Sequence, residues 1–225
     1  MKLTVATLIA AVLAVAGGSA ASAATVTLDN TTGHPIGNQI ETFDELGLGS
    51  PAANTPLSGI GGATLSVTGG SQVPAIVQGS SSGNYAAPFP SSGVDTSHYL
   101  SVYGGGTATF TLAQPANYLG LLWGSVDSYN TIQFLGVGDA VLATFTGDDF
   151  IVHNGNQGAA GTYYANFFSD TSFLKVVLSS KSNSFEIDNV AISAVPLPAA
   201  LPLFGAALAG MGVLGRKRRK AQLAA

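Results

Sequence analysis

Between Ala24 and Ala194 no segment keeps a helical spacing of apolar residues for three turns, whereas apolar and polar residues alternate in short runs throughout. The alternation is plain in Ala24-Thr25-Val26-Thr27-Leu28, in Ala63-Thr64-Leu65-Ser66-Val67 and in Thr107-Ala108-Thr109-Phe110-Thr111-Leu112. A side-chain period of two marks a strand with one buried face. Further runs rich in β-branched and aromatic residues cover 118–123, 131–135, 140–145, 163–168, 173–178 and 185–192, with Gly, Ser, Asn and Pro clusters between them. Many short strands with regular turn signals predict an all-β body, a β-sandwich of jelly-roll type. Residues 24–194 amount to roughly 170 positions, enough for one domain with a real core. No internal repeat is visible.

Composition narrows what such a body can be. There is no cysteine, so packing, or packing with a metal, must hold the fold, and zinc sites built on thiolates are excluded. All twelve acidic residues lie in the body, against two basic ones, Lys175 and Lys181. No basic stripe exists for nucleic acid. An acidic body suits solubility and divalent cations.

Several internal segments carry chemistry-bearing residues. Gly79-Ser80-Ser81-Ser82-Gly83 matches the G-x-S-x-G form of a nucleophile elbow, but that motif needs a helix after it. Asn84-Tyr85-Ala86-Ala87-Pro88 follows, so a flexible loop is expected. In Ser184-Phe185-Glu186-Ile187-Asp188-Asn189-Val190-Ala191-Ile192, Phe185 and Ile187 point inward, which puts Glu186 and Asp188 together on the other face. The apolar phase then moves to Val190 and Ile192, as a one-residue bulge at Asn189 would make it. Two carboxylates at i and i+2 repel unless something lies between them. A calcium ion, which takes six to eight oxygens, fits there. The alternative is a solvent-facing acid pair or a hydrogen-bonded Asp-Asn turn. Asp148-Asp149 reads as a turn, and His34, His98 and His153 have no ligand spacing.

The two ends differ from the body. Lys2, the apolar run Leu3 to Ala16, Gly17-Gly18 and Ala21-Ser22-Ala23 form the three-part layout of a secretory signal peptide, residues 1–23, for removal by signal peptidase. At the other end, residues 195–225 begin with Val195-Pro196-Leu197-Pro198-Ala199. A run of about 17 apolar or small residues follows, about 25 Å as a helix, just short of a hydrocarbon core of roughly 30 Å. Arg216, Lys217, Arg218, Arg219 and Lys220 close it as a stop-transfer cluster that stays cytoplasmic and leaves the body outside. The expected layout is thus an all-β body flanked by an N-terminal signal helix and a C-terminal transmembrane helix.

This tail resembles the C-terminal sorting domain of exosortase-dependent proteins of Gram-negative bacteria, the PEP-CTERM class, in its VPLPA-CTERM variant. Leu197 stands where the commoner form has a glutamate. The resemblance implies sorting, with cleavage of the C-terminus, by an exosortase. The protein would be held transiently in the inner membrane and then delivered to the cell surface or an extracellular matrix of exopolysaccharide. Prolines that keep the recognition segment extended fit that role. A permanent membrane anchor is the competing reading.

The stretch Ala116 to Gly136, together with TATFTLAQP and FEIDNVAIS, resembles the bodies of exosortase-dependent surface proteins that share this hairpin. Asp127, Ser128 and Asn130 can order the turn through their own side chains. Alternatively Asp127 and Asn130 belong to a polar ligand site on the sheet rim, where Trp123, Tyr129 or both offer a stacking face for sugar. The expectation is therefore a non-enzymatic surface protein that binds glycan. A secreted polysaccharide hydrolase and an anchored structural envelope protein are the alternatives.

Overall fold

In a computed structural model of the chain, residues 24–29, 40–90, 92–149 and 156–194 are described. The signal segment 1–23, the sorting segment 195–225, His34 and His153 lie outside these residues. Among the described residues no helix is long and apolar enough to cross a membrane.

The body is all-β, as its alternation predicts. Its strands are β1 (Ala24–Asp29), β2 (Ile40–Glu41), β3 (Thr55–Leu57), β4 (Ala63–Thr68), β5 (Ala75–Gln78), β6 (His98–Val102), β7 (Thr107–Gly124), β8 (Asn130–Leu135), β9 (Val141–Thr146), β10 (Tyr163–Ser180) and β11 (Phe185–Ala194). All pair antiparallel within one eleven-stranded sheet, whose main path runs β5-β6-β11-β7-β10-β8-β9.

Two 18-residue strands, β7 and β10, organise this sheet. Each takes different partners along its length. Thr107–Thr111 of β7 pairs with β4 and with the end of β10, whereas Ala116–Gly124 pairs with β11 and the start of β10. The first half of β10 pairs with β1 and its second half with β8. Pro115 falls in β7 where the register with β10 shifts, between the two paired stretches. A residue without an N–H costs no ladder bond there. The runs 107–112 and 118–123 are thus one strand, and so are 163–168 and 173–178.

The long strands also fold over. Phe134 on β8 stands opposite Val176 of β10. Phe167 lies nine positions earlier on β10, about 30 Å away along a straight strand. Yet the Phe134 and Phe167 rings meet edge to face with centroids 5.8 Å apart, and Phe145 of β9 sits 5.1 Å from Phe167. β10 therefore bends where its register shifts between Phe168 and Phe173, and the two halves of the sheet enclose one core. Leu65, Phe110, Leu119, Leu121, Trp123, Phe134, Phe167, Phe173, Phe185 and Ile187 are all buried in it. One expectation is corrected here: β7 and β8 are not a hydrogen-bonded hairpin, because β10 lies between them. The corner 125–129 instead carries the chain from one half of the sheet to the other.

The half built from β5, β6, β11, β7 and the start of β10 is buried on both faces. Residues Tyr118 to Gly124 are all buried. Leu119, Leu121 and Trp123 face the core, so Tyr118, Gly120, Leu122 and Gly124 face outward. Across that outer face runs the segment 79–97.

Candidate functional site

Residues 79–90 and 92–97 form a strap over this face. Gly79 leaves β5 with φ of 68°, and Ser81 and Tyr85 close a turn by mutual backbone hydrogen bonds. Tyr85 meets Tyr99 and Tyr103 of the outer face edge-on, with centroids 6.3 and 6.2 Å apart. Ala86, Ala87, Pro88 and Pro90 are buried beneath it. Gly124 permits this close approach: a Cβ there would lie 3.2 Å from the Pro88 backbone. A strand precedes the Gly79–Gly83 motif but no helix follows, so the strained turn of a nucleophile elbow is absent.

The strap explains the fate of Glu186 and Asp188. They do share the outer face of β11, opposite Gly124 and Leu122 of β7, but the strap covers them and each is only 2% exposed. The predicted bulge follows directly. The register with β7 shifts between Asp188 and Ala191, and Asn189 adopts φ of 49°. Glu186 Oε1 accepts hydrogen bonds from the Ala86 N–H at 3.0 Å and from the Ser184 hydroxyl. Burial pushes its carboxyl up to about 7, against those hydrogen bonds, and the charge of Asp127 adds to the rise. Burial also pushes Asp188 up to about 9, against the Asn189 backbone N–H and with the help of Asp95 and Asp44.

The strap leaves two cavities, one beside each carboxyl. The first, of about 420 Å³, lies between the Ser80–Ala86 turn and the corner after β7, and Glu186 lines it. Asp127 and Tyr129 enter from the corner. The Tyr129 hydroxyl donates to Asp127 Oδ2 at 2.7 Å. Burial, then this hydrogen bond, raise the phenol, so it remains a donor. Gly147 braces the same corner, because a Cβ on it would overlap the Asp127 backbone. Ser80, Ser81, Ser82, Ser125 and Ser184 add hydroxyls, and Asn84, Asn183 and Gln157 add amides; no lining residue is Lys or Arg.

The second cavity, of about 310 Å³, holds Asp188, Asp95 and Asp44 with Thr42, Ser97, Leu122 and Asn189. Asp44 Oδ1 accepts the His98 N–H at 2.9 Å. Asp95 Oδ1 accepts the Ser97 N–H at 2.8 Å and also the Ser97 hydroxyl.

Of the residues expected at a ligand site, Asp127 and Tyr129 come together with Glu186. Trp123 and Asn130 lie elsewhere. The Trp123 ring is fully buried in the core, 4.7 Å from the Phe185 ring, and has no face open to a sugar. In a strand that alternates strictly, position 123 falls on the same face as Leu119 and Leu121, which decides this. Asn130 is also fully buried, with Oδ1 accepting from the Ser180 hydroxyl at 2.7 Å. Asp148-Asp149 forms the expected turn, Asp149 Oδ2 accepting the Thr146 N–H at 2.6 Å. His98 contacts the Leu46 carbonyl through Nδ1 at 3.0 Å. The tyrosine available to a ligand beside Tyr129 is Tyr85, half-exposed on the strap. Asp95 is the other participant that alternation does not reveal.

No protein-family model matches the chain, and no curated protein matches it. A solved structure of the enzymatically active domain of bacteriophage CBA120 tailspike protein 4 is similar at 19% identity, with a TM-score of 0.30. The likeness covers 59% of this chain and 19% of that one.

Proposed function

We propose that the protein is an exported surface protein of a Gram-negative bacterium whose β-sandwich body, of jelly-roll type, binds an uncharged glycan in the first cavity. Residues 1–23 direct export and are removed by signal peptidase. The Val195–Ala199 motif and the segment after it hold the chain in the inner membrane until an exosortase cleaves it. The body then reaches the cell surface or the exopolysaccharide matrix. It needs no catalytic step to act there.

The observation that carries the binding reading is the lining of the first cavity. Its hydroxyls, amides and two carboxyls supply donors and acceptors in both senses, as a polyhydroxylated ligand requires. No Lys or Arg is among the described residues that line the cavity, so the Asp127 and Glu186 carboxyls set its charge and disfavour sulfated or uronate sugars. Tyr85 and Tyr129 provide the aromatic surface, and the volume lies in the range of small-ligand sites.

A glycan array with the full chain tests this. Binding to neutral glycans, lost in Asp127→Asn and absent for uronate-rich glycans, is expected. Failure to bind any glycan, or binding indifferent to Asp127→Asn, contradicts the reading. One observation favours a second reading: Asp127 and Glu186 share a cleft, as the acid and base of a polysaccharide hydrolase must. Release of reducing ends from extracellular polysaccharide, abolished by Glu186→Gln, would establish that activity in place of simple binding.

A further inference from the structure

We infer that the second cavity is a calcium site, with Asp188 and Asp95 as its charged ligands. It stands apart from the glycan cavity and does not depend on that reading. Glu186 and Asp188, the pair expected to share a calcium ion, line different cavities, and the ion inferred here lies in that of Asp188.

Asp188 is 2% exposed, and its Oδ1 has no hydrogen-bond partner among the described residues. Its Oδ2 has a long contact from the Ser97 hydroxyl, 3.4 Å, but that hydroxyl already serves Asp95 Oδ1. Asp95 Oδ2 is likewise buried with no partner. Both carboxyls line the same cavity, and the Ser97 hydroxyl lies within reach of each. Each carboxyl keeps one buried oxygen with no donor, and a cation in the cavity they share would satisfy both.

No Lys, Arg or His lines the cavity to supply that charge. Asp44 at its wall adds a third negative group whose field reaches Asp188. The ligand is therefore a small cation. Among the described residues no three His, Cys, Asp or Glu side chains stand together as a metal cage. Two carboxylates with neutral oxygens from Thr42, Ser97 or Asn189 and water are the shell that calcium accepts. Magnesium, with its strict octahedron, suits such an irregular set less well, and softer metals prefer nitrogen or sulfur.

The site also has a structural consequence. Asp188 belongs to the terminal strand and Asp95 to the strap, so a cation between them ties the strap to the sheet. Ion binding is then a stability effect, present only in the folded chain.

The test is calorimetric titration of CaCl₂ into the chelator-treated full chain at pH 7.5, with thermal unfolding measured alongside. Saturable binding of one calcium per chain, a raised Tm and a weaker response to MgCl₂ are expected. Asp188→Asn and Asp95→Asn should each weaken calcium binding about tenfold or more, since even outer partners of a bound metal cost that much. At pH 7.5 the buried Asp188 of the metal-free chain must take up a proton that the unfolded chain does not hold; Asp188→Asn removes that cost at almost constant shape, so the metal-free variant should unfold at a higher temperature than metal-free wild type. A wild-type chain that shows no saturable calcium response would overturn the proposal, and the pair would then be neutralised by a shared proton alone. Calcium binding unchanged in both variants would overturn it too. Asp127→Asn, in the other cavity, should leave calcium binding intact, so loss of glycan binding and loss of calcium binding are separable.

Discussion

Glu186 shows how a single side chain can be assigned to the right face and still be given the wrong environment. Alternation puts it opposite Phe185 and Ile187, and it is there. The strap then makes that outer face an interior, with the Ala86 N–H on its carboxylate. Burial dominates, so the folded chain holds the Glu186 proton up to about 7, well above where an unfolded chain releases it. Because the folded state binds the proton more tightly, its stabilising effect is complete below about pH 4.5. It fades as pH rises towards 7 and is gone above that. In metal-free buffer Glu186→Gln should remove that part of the pH dependence, on the order of 3 kcal/mol across the interval. Urea unfolding of both proteins at pH 4.5 and 7.5 measures it; equal slopes against pH would contradict the assignment.

At the scale of elements, the bend in β7 and β10 decides the architecture. Phe134 is the side chain that spans it, touching Phe145, Phe167 and Phe173 from both halves of the sheet. Phe134→Ala should cost about 3–5 kcal/mol, the usual loss for a large aromatic in a tight core, whereas Thr131→Ala on the half-exposed face of the same strand should cost little. Denaturant midpoints compare the two directly. Strand β8 and the second half of β10 are legible in the sequence because each has one wet face. Asn130, Ile132 and Phe134 are buried while their neighbours are partly exposed, and that contrast is what periodicity detects. In β6 Tyr99 to Val102 are all buried, so no alternation survives, and the run is too short for its β-forming residues to mark it as 118–123 is marked. The strap was missed because it buries small residues, Ala86, Ala87 and Pro88, within a Gly- and Ser-rich stretch that carries no apolar pattern. Asp127 and Tyr129 are legible as neighbours from their place in a corner, and Glu186 and Asp188 from their shared face. Asp95 lies far from Asp188 in sequence, and only the fold of the strap joins them.

For the molecule as a whole, a body with a covered outer face and two acidic cavities is joined to the two terminal segments, to which the proposed function gives different work. In the proposed function the first is an export signal and the last a temporary hold in the bilayer, followed by removal. Fold alone says nothing about address, so the central claim rests on the ends of the mature protein. Intact-mass measurement of the chain recovered from the cell surface tests it most directly. The account predicts a mature N-terminus at Ala24 and a C-terminus that lacks Arg216 to Lys220. A surface-located chain that still carries Lys220 would contradict it.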